Sequence, residues 1–193
     1  MKRRQTLQIG LAGGLALLAA QRGVAQPAAD AATLLRAGGC VLMLRHAQTE
    51  PGIGDPPGFQ IDNCSTQRNL SVFGRAQALD IGRWFSSRSL LPSSVQSSPW
   101  CRCKDTAKLA FGSFLVWPAL ASTFDGQNNP AAQTRVLQLR LSAIAPGRFE
   151  VWVTHQVNVS ALTGEAPAMG EGFVIQAIPK AGTVKILDRT QFE

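Results

Sequence analysis

The stretch Val41-Leu42-Met43-Leu44-Arg45-His46 starts with four apolar residues and ends in an arginine and a histidine. Because Gly38-Gly39 precedes it and a polar segment follows, the apolar run is typical of a buried strand in a parallel sheet. The stretch Val151-Trp152-Val153-Thr154-His155 repeats this arrangement and carries the second of the chain's two histidines. Ligands of such sheets bind beyond the carboxyl ends of the strands, so both histidines are predicted to lie where a ligand binds.

Hydrophobic periodicity along the rest of the chain predicts alternating helices and strands. Helices are predicted at residues 31–37, 102–111, 130–144 and 157–162, together with a core-facing helix capped by Ser71. Strands are predicted at residues 40–45, 95–98, 115–117 and 149–154, and residues 171–178 and 184–187 are predicted to form a closing hairpin or edge strands. This alternation predicts an α/β fold with a mostly parallel central sheet and helices on both faces.

The length of 193 residues and the hydrophobic content of 45% predict a single globular domain, residues 26–193, with a substantial core. The formal net charge is +7, but residues 1–25 contain four basic residues and no acidic residue. The remaining chain holds 15 basic and 12 acidic residues, without a dense basic run interleaved with aromatic residues. Binding to nucleic acid is therefore not predicted.

Residues 1–25 have the organisation of an export signal peptide. Lys2-Arg3-Arg4 forms a basic start, an apolar segment follows, and Gly23-Val24-Ala25 supplies small residues for cleavage before Gln26. The paired arginines indicate the twin-arginine route, and the predicted location is periplasmic or secreted. The alternative is an uncleaved membrane anchor, which the shortness and the glycines of the segment disfavour. No second hydrophobic segment follows, so no stable membrane span is predicted after cleavage.

Four motifs resemble those of the histidine phosphatase superfamily, the phosphoglycerate-mutase-like proteins, and they occur in that family's order. They are Arg45-His46-Ala47, the segment Leu70-Ser71-Val72-Phe73-Gly74-Arg75-Ala76-Gln77-Ala78, the segment from Ser97-Ser98-Pro99 through Arg102 to Thr106-Ala107, and Thr154-His155. A lone Arg-His pair would mean little, whereas four ordered motifs are specific. The resemblance implies a three-layer sandwich in which the sheet lies between two layers of helices.

The resemblance also implies a reaction. His46 corresponds to the family's nucleophile, which forms a phosphohistidine that water then hydrolyses, and His155 to a second histidine that donates to the phosphate. Arg45 and Arg102 correspond to the phosphate-binding arginines, whose guanidinium groups offer planar forks of donors to phosphate oxygens. The resemblance further implies that the reaction needs no metal and no cofactor.

The general acid is the part of the family pattern that the chain lacks. Where some members carry Asp after the second histidine this chain has Gln156, and where others carry Glu after the third strand it has Ser122. A leaving alkoxide needs a proton from a positioned acid. The nearest carboxylates in the sequence are those of Asp125, Glu50 and Asp55, and the predicted acid is Asp125 or Glu50, with a surface or turn role as the alternative for each.

Residues 50–63 form a long loop, rich in proline and glycine, directly after the first motif. Long ordered loops are often functional, so this loop is predicted to form a wall or a lid of the site. Thr49 and Gln67 are predicted to add hydrogen bonds to the substrate. Arg68 is predicted to contact an anionic substrate, and a solvated charge is the alternative.

The four cysteines, Cys40, Cys64, Cys101 and Cys103, permit disulfides in an exported chain. Cys101 and Cys103 are too close to favour a bond with each other. A bridge from Cys64 to either of them would tie the long loop to the residues around Arg102. Cys40 lies in the predicted buried strand and is expected to be a small core residue.

These observations predict an exported phosphatase that needs no metal and hydrolyses a small phosphomonoester through His46. Within the superfamily, the size and predicted location are most similar to the small phosphatases of lipopolysaccharide core sugars, but the residues do not identify the substrate or the oligomeric state. The alternative function is a non-catalytic protein that binds phosphate or a phosphosugar on the same fold. The absent acid at Gln156 and Ser122 favours this alternative, and the histidine at position 46 disfavours it.

Overall fold

The computed structural model describes residues 30–124, 126, 129–178 and 182–192. The predicted signal peptide, residues 1–25, and the candidate acid Asp125 lie outside the described residues. The helices are α1 (Ala31–Ala37), α2 (Val72–Ser87), α3 (Cys101–Phe111), α4 (Pro130–Ser142) and α5 (Gln156–Thr163). The strands are β1 (Cys40–Arg45), β2 (Ser94–Ser97), β3 (Leu115–Val116), β4 (Phe149–Thr154), β5 (Gly172–Ile178) and β6 (Thr183–Thr190). Single turns of 3-10 helix occur at Cys64–Thr66 and Pro118–Leu120.

The strands form one mixed sheet in the order β3-β2-β4-β1-β5-β6. The pairings among β1 to β4 are parallel, as predicted, whereas β5 pairs antiparallel with both β1 and β6. The mostly parallel sheet is thus confirmed only for the first four strands. The closing pair is a hairpin, and its first strand, β5, lies inside the sheet because it pairs with β1 on one side and with β6 on the other.

Each face of the sheet is covered by its own layer of helices. Alternate side chains of a strand point to opposite faces, so Leu42 and Leu44 pack with α1, α2 and α3, while Val41 and Met43 pack with α4 and α5. The fully buried β1 and β4 lie between these two cores. The structure therefore has the predicted helices on both faces, and the carboxyl ends of β1 and β4 lie side by side at one edge.

The predicted helices begin and end close to where the sequence places them. The Ser71 side chain accepts from the N–H of Gly74 and caps α2, as predicted. The helix predicted to start at residue 157 starts one residue earlier, directly after His155. Among the helices of the described segments, none is long and apolar enough to cross a membrane.

Candidate active site

His46 lies immediately beyond β1, where its backbone N–H donates to the Thr154 carbonyl at 2.9 Å. The side chain is 3% exposed. Its Nδ1 lies 2.8 Å from the Ala47 carbonyl oxygen, which can only accept, so Nδ1 carries the proton and Nε2 keeps its lone pair. Burial, with the charge of Arg102 as the second cause, lowers the pKa of His46 to about 3. His46 is thus held as a neutral imidazole in the tautomer that a nucleophilic Nε2 requires.

His155 lies at the tip of β4 and starts α5, and its ring centroid is 5.5 Å from that of His46. An Arg102 N–H donates to Nδ1 at 3.4 Å, which leaves the proton on Nε2 beside the Ser98 hydroxyl at 2.8 Å. Burial, followed by the charge of Arg102, lowers the pKa of His155 well below its ordinary value. The two predicted histidines therefore face each other, both neutral and both next to arginines.

Arg45 and Arg102 supply the positive charge of the site. Arg45 donates from Nη1 to the Pro167 carbonyl at 2.8 Å, and Arg102, which is 4% exposed, is in the first turn of α3. The buried Nε of each guanidinium has no hydrogen-bond partner. A buried donor without an acceptor is costly, so two such donors beside two imidazoles indicate a site built for an anion.

Asp55 is the carboxylate that the structure brings to this site. Both of its oxygens accept from Arg102 Nη1, at 2.8 and 3.0 Å, and its side chain is only 7% exposed. It also accepts from the backbone N–H of Arg68 at 3.0 Å and from the indole N–H of Trp100 at 3.1 Å. Sequence reasoning considered Asp55 as one of three carboxylates but had no signal that distinguished it, because the contacts come from residues 13 to 47 positions away.

Glu50, one of the two predicted acids, lies elsewhere. It is exposed and does not line the cavity of the site, although it follows the first motif by only a few residues. The physical reason is the pairing of this segment with the chain before α2: Thr49 bridges to Leu70, and the N–H of Glu50 donates to the Asn69 carbonyl at 3.0 Å. Of these two carboxylates, the structure thus places Asp55 at the site and Glu50 outside it.

A disulfide ties the long loop to α3. Cys64 and Cys101 are bonded, with their Cα atoms 5.6 Å apart, which is one of the two bridges considered from the sequence. Cys40 and Cys103 are free and buried, and Cys40 is in the core as expected. Burial raises the pKa of Cys103 to about 12, so its thiol stays protonated.

Thr49, Gln67 and Arg68, the predicted substrate contacts, make hydrogen bonds that hold the loop in the free structure. Gln67 donates to the carbonyls of Gln60 and Ile61 and accepts from the N–H of Cys101. Arg68 donates to the Thr49 hydroxyl and to the carbonyls of two loop glycines, Gly52 and Gly54. Of these three residues, only Arg68 lines the cavity. Its positive charge therefore acts on the site, while its N–H groups hold the wall that the loop forms.

The second motif supports the segment that carries His46. A Cβ at Gly74 would lie 1.7 Å from the Gln48 carbonyl oxygen, so only glycine lets α2 approach this closely. The Gln77 side chain accepts from the N–H of Gln48 at 3.0 Å and donates to the Met169 carbonyl at 3.1 Å. From the third motif, the Thr106 hydroxyl accepts from the N–H of Ala47 at 3.0 Å. These motif residues thus fix the loop around the nucleophile.

The side chains surround a cavity of about 590 Å³. Its polar lining includes the two histidines, Arg45, Arg102, Arg68 and Asp55, and its apolar lining includes Ile53, Phe59, Trp100, Phe124, Val157 and Met169. The volume is that of a small-molecule site. Within the described ranges, no group of three or more histidine, cysteine, aspartate or glutamate side chains could hold a metal ion.

No protein-family model matches the chain, and no curated protein matches it. Several solved structures, in contrast, are similar to it. The protein histidine phosphatase SixA in complex with tungstate is 16% identical, with a TM-score of 0.54 over 79% of this chain and 96% of that one. A phosphoserine phosphatase from Entamoeba histolytica with bound phosphoserine is 14% identical, with a TM-score of 0.55 over 80% and 98%. A mycobacterial glucosyl-3-phosphoglycerate phosphatase is 19% identical, with a TM-score of 0.56 over 80% and 99%.

Identities this low speak for the fold alone. The fold they share with this chain is the one that its four motifs predict, and the structure places the motif histidines and arginines in one cavity. The resemblance to the histidine phosphatase superfamily is thereby confirmed, and the chain has the fold of that superfamily.

Proposed function

We propose that this protein is a phosphatase that hydrolyses a small phosphomonoester through a phosphohistidine at His46. The observation that carries the proposal is the convergence of a neutral imidazole, whose Nε2 keeps its lone pair, with two guanidinium groups whose buried Nε donors lack acceptors. A phosphoryl group supplies what this arrangement lacks, namely an electrophilic phosphorus for His46 and anionic oxygens for Arg45 and Arg102.

The reaction has two steps. In the first, His46 Nε2 forms a bond to phosphorus, the bond from phosphorus to the ester oxygen breaks, and the alcohol leaves with a proton. In the second, a water molecule attacks the phosphohistidine, the P–N bond breaks, and phosphate is released. Arg45 and Arg102 neutralise the phosphoryl oxygens in both steps, so the arginines supply the electrostatic stabilisation of the transition state.

His155 becomes a hydrogen-bond donor to the phosphoryl group when the anion is bound. In the free site its Nδ1 accepts from Arg102. A phosphoryl dianion next to this ring favours the imidazolium form, because an opposite charge nearby raises the pKa of a histidine. His155 then carries a proton on Nδ1 as well and donates it in a hydrogen bond to a phosphoryl oxygen.

Export is part of the proposal. Residues 1–25 have the pattern of a signal peptide, with paired arginines at positions 3 and 4. The disulfide between Cys64 and Cys101 supports the same location, because such bonds persist in oxidising compartments. Cell fractionation with an antibody to the domain tests this part. The wild type is expected in the periplasm or the medium, and the double variant Arg3→Lys, Arg4→Lys is expected to stay in the cytoplasm.

Phosphate release from p-nitrophenyl phosphate, sugar phosphates and alkyl phosphates tests the activity, in the presence of EDTA. The wild type is expected to turn over and His46→Asn, which keeps a donor for the Ala47 carbonyl, to be inactive while folded by circular dichroism. An alkaline quench of the reaction with a ³²P-labelled ester should trap label on His46, because phosphohistidine survives alkali better than acid. Phosphate binding that depends on Arg45 and Arg102, without turnover of any ester, would support the binding-protein alternative instead.

A further inference from the structure

We propose that Asp55 is the general acid of the reaction: it holds Arg102 in the free site, is released from it by the incoming phosphoryl group, and then protonates the leaving oxygen. The inference rests on the proposed phosphatase function. It fills the place left by Gln156 and Ser122, the residues found where related enzymes carry their acid, since neither side chain can supply a proton of sufficient acidity.

Asp55 is in the right place for this role. Of the described residues that line the cavity, it is the single carboxylate. Asp55 contacts Arg102, and Arg102 contacts His155, so a single guanidinium group separates the carboxylate from this histidine. Asp55 lines the same cavity as the two histidines, the two arginines and the apolar residues Phe59 and Phe124, which would contact the alcohol portion of the ester.

The phosphoryl group and Asp55 compete for the guanidinium group of Arg102. Both Asp55 oxygens are bonded to one nitrogen of Arg102, while the buried Nε of that guanidinium has no acceptor. A phosphoryl dianion that takes the Nε and a terminal nitrogen of Arg102 places negative charge next to the carboxylate. Asp55 enters the reaction as the neutral carboxylic acid, the form in which a general acid reacts and in which it does not repel the phosphoryl oxygens.

Two contacts keep the carboxyl group beside the reaction when Arg102 turns to the phosphate. The backbone N–H of Arg68 and the indole N–H of Trp100 both donate to Asp55. The Arg68 side chain secures the carbonyls on either side of Ile53, and the Cys64–Cys101 disulfide joins the far end of the loop to the helix that carries Arg102. The loop therefore holds the acid in position rather than acting as a lid.

The proton balance of the step is complete. As His46 Nε2 bonds to phosphorus, the electron pair of the breaking P–O bond moves to the ester oxygen, and the proton of the Asp55 carboxyl group moves to that oxygen and gives the alcohol. Asp55 is left as the carboxylate. In the second step it accepts a proton from the attacking water, and it is again neutral at the moment when phosphate forms.

The test is how strongly the kcat/KM of the Asp55→Asn variant depends on the leaving group of the ester. Aryl esters such as p-nitrophenyl phosphate release a stable anion and need little protonation, whereas alkyl phosphates need an acid. We expect Asp55→Asn to lose less than about 10-fold in kcat/KM on p-nitrophenyl phosphate and about 100- to 10,000-fold on an alkyl phosphate, the range of general acid catalysis. With the carboxylate charge removed from Arg102, inorganic phosphate should bind more tightly to the variant.

Two variants serve as controls. Asp62→Asn removes an exposed carboxylate from the same loop, and Glu150→Gln neutralises a buried carboxylate that also contacts an arginine and a tryptophan. Both should behave as the wild type on every ester. Equal losses of Asp55→Asn on aryl and alkyl esters would show that Asp55 only positions Arg102, and no loss on either would also overturn the inference. A wild type inactive on all esters would instead refute the proposed function itself.

Discussion

Two buried carboxylates of this protein have the same kinds of partner and different surroundings. Asp55 accepts from Arg102 and from the indole of Trp100, beyond the carboxyl ends of the strands. Glu150 accepts from Arg140 and from the indole of Trp152, near the amino end of β4. We name these sets the Asp55 cluster and the Glu150 cluster. An arginine, a carboxylate and a tryptophan thus occur together at opposite ends of the same sheet.

The arginines make the difference. Arg140 is 47% exposed, so water completes its solvation, and its Nε donates to Glu150 at 3.3 Å. Arg102 is 4% exposed, its Nε lacks an acceptor, and two neutral histidines and a cavity adjoin it. The Glu150 cluster satisfies its own donors and fastens α4 to β4. The Asp55 cluster leaves the Nε of Arg102 without an acceptor, and an unused donor next to the cavity is what we expect of a site that binds an anion.

The largest expected difference between the clusters is in activity. Arg102→Lys keeps the charge but loses the planar fork, so kcat/KM should fall by about 100- to 1,000-fold, as for other losses of a transition-state donor. Arg140→Lys is the matched change in the Glu150 cluster and should leave kcat/KM within about twofold. Steady-state kinetics on p-nitrophenyl phosphate measure both. A similar loss in the two variants would remove the distinction between the clusters.

The next effect concerns the cross-link that only the Asp55 cluster has. The Cys64–Cys101 bond closes a loop of 37 residues, and its removal in a Cys64→Ser, Cys101→Ser double variant should lower the free energy of unfolding by about 3–4 kcal/mol. Urea unfolding of the variant and of the wild type, each with and without reductant, measures this. Reductant should destabilise the wild type and leave the double variant unchanged. Equal sensitivity of the two proteins to reductant would contradict the assigned pairing.

Acid should destabilise the protein through the two neutral histidines that adjoin the Asp55 cluster. The pKa of His46 is about 3 in the folded protein against an ordinary 6.5, so the unfolded chain binds the proton first and stability falls as the pH drops from 6.5 toward 3. The loss for His46 is about 1.4 kcal/mol per pH unit below 6.5, or about 2 kcal/mol by pH 5. Unfolding by urea at several pH values should show a shallower slope for His46→Asn and an unchanged slope for Glu150→Gln.

The smallest effect is expected from the Glu150 cluster itself. Glu150→Gln keeps an acceptor for the Trp152 indole and loses the ion pair with Arg140. Because Arg140 is half exposed, the free energy of unfolding should fall by only about 1 kcal/mol. Thermal unfolding measures the change, and phosphatase activity should be retained. A loss of activity larger than the loss of folded protein would mean that this cluster also serves the site.

Several features of the fold could be predicted from local patterns. The bounds of α1, β1 and β4 agree with the prediction, because α1 ends at Gly38-Gly39 and the mainly apolar β1 and β4 each end directly before a histidine. The hairpin of β5 and β6 was also expected, although its insertion beside β1 was not, since hydrophobic periodicity does not encode strand order. The four motifs predicted the two histidines and two arginines of the site, and the structure brings all four together.

The sequence by itself determined the strands that end in His46 and His155, the cap at Ser71 and the set of groups for phosphoryl chemistry, because these depend on residues close together in the chain. Only the tertiary structure decided which carboxylate joins them, which cysteine bonds to Cys64, and that Thr49, Gln67 and Arg68 hold the loop. Those roles depend on contacts between the loop at residues 50–63 and α3, about 40 positions later. These contacts matter because Arg102 is buried, and a charge removed from water needs a partner wherever the chain can supply one.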